Sequence, residues 1–248
     1  MKNDISTKAR LFSTRILTRI SLLIALNIIL SRFLGVMLPI AGFPTIKISF
    51  SHVPLFLAGI LYGPLAGFIC GFVSDYIGSF ISNGAGAFLP GLGFFFAISA
   101  GLVGMIPALI YKYTEKGIID FYKINTIFIL FVSACLLSIF YIKGILFSQN
   151  ILVTILLFIV IIIFIFLPVM ATKIFKRKNS LTSFQKIYFC INVSRIITSV
   201  FLNTFLLSIL FGKGMFVFLP ARILTNFIMI PMLSIATTIL IDILRFQE

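Results

Sequence analysis

The sequence predicts an all-α fold, a polytopic transmembrane helix bundle with both termini cytoplasmic, and three observations predict it. Of its 248 residues, 60% are hydrophobic and 10% charged, with a mean hydropathy of +1.21, which is too apolar for a soluble domain of that length. The apolar runs are continuous and lack the ten-residue alternation of lipid-facing strands, so helices are implied and a barrel is not. Lysine and arginine gather at alternate junctions between those runs, as the positive-inside bias requires.

The first element is a basic cytoplasmic segment, with Lys2, Lys8, Arg10, Arg15 and Arg19. A span over about 16–38 follows, and it is expected to be retained, because no small-residue cleavage pattern stands behind it. Arg32 sits near its outer end. Residues 39–47, PIAGFPTIK, contain two prolines and a glycine and read as an ordered outer loop.

The stretch Ile46 to Ile81 organises the rest. It is broken once, at Gly63-Pro64, with about 17 residues on either side, and so reads as a tight membrane hairpin. Gly59, Gly63, Ala66, Gly67, Gly71, Ser74 and Gly78 recur mostly at spacings of three, four or seven. They form a strip where another helix can approach closely, and packing in lipid rests on such fits.

A second glycine-rich outer segment, 82–93, precedes a span over about 94–111 that returns inward to Lys112, Lys116 and Lys123. Two bulky apolar runs, about 124–142 and 151–171, read as lipid-facing helices and end in the basic cluster 173–178. A span over about 186–211 goes out, the loop GKGM turns the chain, and a span over 217–244 returns to Arg245. The result is eight spans in one membrane domain, 1–248.

Net charge is +14, yet the basic residues lie between apolar runs and form no single face, so nucleic acid is excluded. Cys70, Cys135 and Cys190 lie far apart within apolar segments and read as small buried residues. No catalytic constellation, phosphate loop or metal spacing is present, so no enzyme activity, cofactor or metal is expected. His52, the one histidine, reads as interfacial; Asp75 reads as a satisfied membrane carboxylate, with ligand contact as the alternative. Arg195, near the inner end of its span, is expected to snorkel to the cytoplasm.

Four other basic residues differ. Arg32, Lys47, Lys213 and Arg222 all come to the outer end of the bundle in this topology, with Asn203 and Asn226 supplying amides nearby. That set suits a pocket for an anionic aromatic ligand.

Four blocks carry a resemblance: KISFSHVPLFLAGILYGPLAGFICGFVSDYIGSFI, then GAFLPG, NTFLLSILFGK and LPARILTNFIMIP. Together they resemble the folate-family substrate-binding subunits, or S components, of energy-coupling factor (ECF) transporters. The matching positions are Gly63, Pro64, Asp75, Pro90, Gly91, Asn203, Thr204, Gly212, Lys213, Arg222, Asn226, Met229 and Pro231. The match covers roughly 16–111 and 186–244, so the resemblance implies a six-helix S-component core with a two-helix insertion at 112–185.

The resemblance further implies capture of folate or a reduced folate from outside. ATP-driven import would then proceed with a transmembrane coupling subunit and two ATPase subunits, the arrangement of an ABC transporter. Arg222 and Lys213, with Arg32 and Lys47, would pair with the glutamate carboxylates, and Phe88 and its aromatic neighbours would bracket the pterin; Gly91, Asn203 and Asn226 complete the expected substrate contacts. Ser21 and Ala25 stand where such subunits carry a small pair for the coupling contact. This chain departs from the pattern in having no tryptophan, with Leu206 at that position, and Gly93 where a threonine is usual. Riboflavin as the vitamin and a self-contained ion-coupled carrier are the alternatives; a lipid transferase would need acidic inner loops, and these are basic.

Overall fold

The computed structural model describes residues 13–40, 43–81, 92–114, 121, 123–128, 159, 162, 166, 170–172 and 181–245. The elements in chain order are α1 (Thr14–Arg32), β1 (Val36–Ile40), β2 (Phe43–Ile48), α2 (His52–Tyr62), α3 (Pro64–Ile81), α4 (Leu92–Tyr113), α5 (Leu181–Arg195), a π-helical segment (Ile196–Leu202), α6 (Asn203–Phe211) and α7 (Met215–Arg245). Among the described residues four helices are long and apolar enough to cross a membrane, over Thr14–Arg32, Pro64–Ile81, Gly93–Tyr113 and Phe184–Phe211; His52–Tyr62 and Ile228–Leu244 are shorter apolar helices. The architecture is the polytopic helical bundle expected from the sequence.

The segment expected as an outer loop is more regular than a loop. β1 and β2 pair antiparallel, Val36 opposite Ile48 and Met37 opposite Lys47, with an irregularity between Leu38 and Pro39. Proline removes a ladder donor, so the irregularity falls where the composition places it.

The pairing also shortens the first arm of the hairpin. Ile46 to Ile48 belong to β2, and α2 has 11 residues, about 16 Å of helix, so the arm opens on extended chain and a turn and only its last 11 residues are helix. Ser49 and Ser51 hold the change of direction, their hydroxyls 2.6 Å apart, and the buried Asn27 amide of α1 donates to the Ser51 carbonyl. A backbone group outside a helix needs such a donor in lipid. Asn27→Ala is therefore expected to cost about 1–3 kcal/mol, the usual penalty for a buried acceptor left unsatisfied. Thermal melting in detergent reads it, and an unchanged midpoint would refute it.

Gly63 ends α2 with φ of 105°, a conformation that favours glycine, and its N–H bonds the Gly59 carbonyl at 2.9 Å. Pro64 opens α3, where a missing N–H costs nothing. The small-residue strip then finds its partner inside the chain. A Cβ on Gly59 or Gly67 would run into the Gly104 carbonyl of α4, and one on Gly71 into that of Ala100. The helices α2, α3 and α4 thus meet backbone to backbone, the close approach that substitutes for a hydrophobic drive in lipid.

Pro107 lies inside α4 and has no N–H for the Val103 carbonyl four residues earlier. The buried Ser194 hydroxyl of α5 donates to that carbonyl at 3.2 Å. Together with Ser99 to Asn203 at 2.6 Å and the Lys186 ammonium 4.0 Å from the Tyr111 ring centroid, this contact orders α4 antiparallel to the α5–α6 rod. The core gathers Phe56, Ala58, Cys70, Ile187, Ile191 and Leu233, all below 1% exposed. Large apolar side chains such as Leu22, Phe80, Phe95 and Phe205 face outward, as a lipid-facing surface requires.

Most of the two bulky runs lies outside the described residues. Ile159, Ile162, Phe166 and Met170 are helical and exposed, and their spacing of three, four and four puts them on one face, while Ala171 packs with Phe184, Tyr188 and Ile230. Asn125 donates to the Gln185 side chain at 2.8 Å and to its backbone carbonyl at 2.9 Å, fastening residues 123–128 to α5.

Candidate functional site

The polar centre of the bundle is built where α2, the π segment and α7 converge. Arg195 ends α5 and is 5% exposed. Its Nε donates to Asn226 Oδ1 at 2.9 Å, and its Nη1 donates to His52 Nε2 at 3.1 Å. A guanidinium only donates, so Nε2 of His52 accepts and the ring is the Nδ1–H tautomer. Both N–H groups of the Asn226 amide are used: besides accepting from Arg195 at Oδ1, it donates from Nδ2 to Ser199 Oγ at 3.1 Å and to the Arg222 carbonyl at 2.9 Å. One amide therefore ties α7 to both the α5 terminus and the π segment.

Snorkelling does not occur at Arg195. Helix α5 begins at Leu181 rather than near Lys186, so the guanidinium lies about 20 Å from the inner end of the rod, and Asn226 and His52 hold it in the interior. Arg222 is close enough for its charge to act on Arg195. Among the described residues no carboxylate pairs with Arg195, and two of its five donors are engaged by the protein. A guanidinium enclosed as Arg195 is, with no carboxylate on it among the described residues, is costly in lipid, and an anion offsets that cost.

Of the other expected contacts, Arg32 is ion-paired with Asp75 at 3.6 Å and lies against Gly78, where a Cβ would come within 2.8 Å of its Nε. That accounts for Asp75, the membrane carboxylate, as a satisfied group. Asn203 Oδ1 accepts from Ser99, at the outer part of the rod. Lys213 is exposed in the turn after Gly212, and its carbonyl accepts from Ser208 at 2.7 Å. Lys47 is on β2, and Phe88 and Gly91 lie outside the described residues. The structure thus brings Arg222 and Asn226 together and adds Arg195, His52 and Ser199, which the sequence reading had not placed in the site.

The π winding is what aligns these groups. Bonds of the i to i+5 type run through 196–202, with the Asn203 N–H on the Thr198 carbonyl and the Thr204 hydroxyl on that of Ser199. Such segments are rare and concentrate at functional sites. Here it faces Asn226.

A family model described as ECF transporter, substrate-specific component, matches residues 15–241. The chain belongs to that family. No curated protein and no solved structure matches it. Membership makes this chain a membrane component of a transporter that confers substrate choice and works with ECF partners. Ser21 and Ala25 are both exposed on α1, and the Ser21 hydroxyl donates to the Leu17 carbonyl.

Proposed function

We propose that the chain captures folate or a reduced folate from outside the cell and delivers it for ATP-driven import with a transmembrane coupling subunit and two ATPase subunits. The observation that carries this reading is the buried Arg195, joined through Asn226 to the Arg222 turn of α7. Arg222 and Asn226 are the charged and amide members of the final-helix motif, so the folate-family resemblance and the buried charge coincide. A dianionic vitamin offsets two guanidiniums, and riboflavin, which is uncharged, does not.

In this reading the protein is a single multi-pass domain of the cell membrane with both termini cytoplasmic and a two-helix insertion over 112–185. Arg32, Lys47 and Lys213 draw the anion in, Phe88, Gly91 and Asn203 are the further substrate contacts, and Ser21 and Ala25 meet the coupling subunit. The basic clusters at 2–19, 112–123 and 173–178, all at one end of the expected topology, support the orientation.

Purified protein is expected to retain a folate identifiable by mass spectrometry and to bind folic acid tightly in titration after the ligand is removed. Protein that holds and binds no folate would overturn the vitamin assignment, and retained riboflavin would replace it.

A further inference from the structure

The described asparagines separate into two groups. Asn27, Asn125, Asn203 and Asn226 each bond a named group. Asn192 is 1% exposed, and neither its Nδ2 nor its Oδ1 has a hydrogen-bond partner among the described residues. An enclosed amide with both ends unanswered is unfavourable in a membrane interior, where water does not compensate it.

Its position is informative. Asn192 lies three residues before Arg195 on α5, so the two share a helix face, with Asn192 about 4.5 Å further inward. Tyr188, four residues before Asn192 and also 1% exposed, carries a second unanswered polar atom, its hydroxyl. A line of unsatisfied polarity therefore continues inward from the guanidinium.

We infer that Asn192 is a specificity-determining contact, binding the uncharged end of the substrate through a neighbouring donor and acceptor such as a cyclic amide or amidine presents. A side-chain amide offers one acceptor and a two-hydrogen donor side by side, the arrangement that reads the paired donor and acceptor of a nucleobase edge. A carboxylate does not fit there, because it leaves the amide oxygen unanswered and is better placed on Arg195 and Arg222. The tyrosine hydroxyl below closes the inner end. This inference rests on the proposed capture of a folate-type vitamin and adds which end of it lies innermost.

The test uses the purified full-length chain, folic acid as the probe, calorimetric titration for affinity and thermal melting for the ligand-free state. Asn192→Leu keeps the volume and removes the unanswered amide. It is expected to weaken folic acid at least tenfold while the ligand-free melting temperature stays level or rises, since the removed amide held nothing in the protein. A loss below tenfold overturns the inference. So does a lower melting temperature, which marks Asn192 as structural; if the leucine variant does not fold, Asn192→Ala is read by the same two measurements and the same limits. Wild-type protein that binds no folic acid fails the proposed function itself, and this contact with it, so the two failures are distinguishable.

Discussion

Arg195→Gln is expected to weaken folic acid binding by about a hundredfold or more. Hydrogen bonds to a charged group are each worth about 1.5–3 kcal/mol, and a guanidinium meeting a carboxylate makes two, so their loss corresponds to roughly two to four orders of magnitude. Glutamine preserves a donor toward Asn226 Oδ1, which keeps α5 and α7 together. The ligand-free protein should therefore melt no lower than wild type, because replacing an enclosed charge relieves its desolvation. Lys213→Gln is the useful contrast: the side chain is exposed, screened by solvent, and its removal should change affinity no more than about threefold. Equal effects at the two positions, read by calorimetric titration, would refute the central role given to Arg195.

The second large effect concerns folding. Gly104→Val places a branched side chain against the Gly67 carbonyl of α3, and the neighbouring Gly67 backbone lies within 3.1 Å of the new Cβ. A flexible side chain gives way at such a contact; a helix backbone does not. Parting α3 from α4 forfeits the close packing that holds them in lipid, and the expected cost is about 3 kcal/mol or more, the upper part of the range for overpacking. Monodisperse protein in size-exclusion chromatography should be largely lost. Gly214→Ala, whose Cβ meets nothing within 4 Å, should be recovered in normal yield; comparable recovery of Gly104→Val would refute the backbone contact.

Periodicity made much of this architecture legible. The apolar lengths gave the helices α1, α3 and α4, and the glycine spacing gave a contact face whose partner turned out to be α4. Two readings went astray for physical reasons. The start of α2 is hidden in the sequence, because the extended Ile46 and Ile48 are apolar and β-branched and look no different from helix in a hydropathy profile. The decisive groups are Ser49, Ser51 and Asn27, the last of them 24 residues from its partner.

Arg195 was misplaced because the fate of a membrane arginine depends on its distance from the interface and on what stands opposite. The helix begins at Leu181, five residues before the apolar run starts at Lys186, which adds to that distance. What stands opposite is His52, 143 residues earlier, and Asn226, 31 residues later; neither pairing leaves a periodic trace. The final-helix motif did mark Arg222 and Asn226, since four residues in a helix put both on one face.

The winding of 196–202 separates the two ends of the rod in a specific sense. One surplus residue is accommodated there, and each residue turns a helix by about 100°, so everything beyond Leu202 is clocked independently of everything before Arg195. Deleting a single position in that stretch would let the rod wind regularly and swing Asn203 off Ser99, while Ser194 kept its hold on Val103. The inner half is thereby anchored to the scaffold, and the outer half, with the turn at Gly212, takes its rotational setting from the π segment.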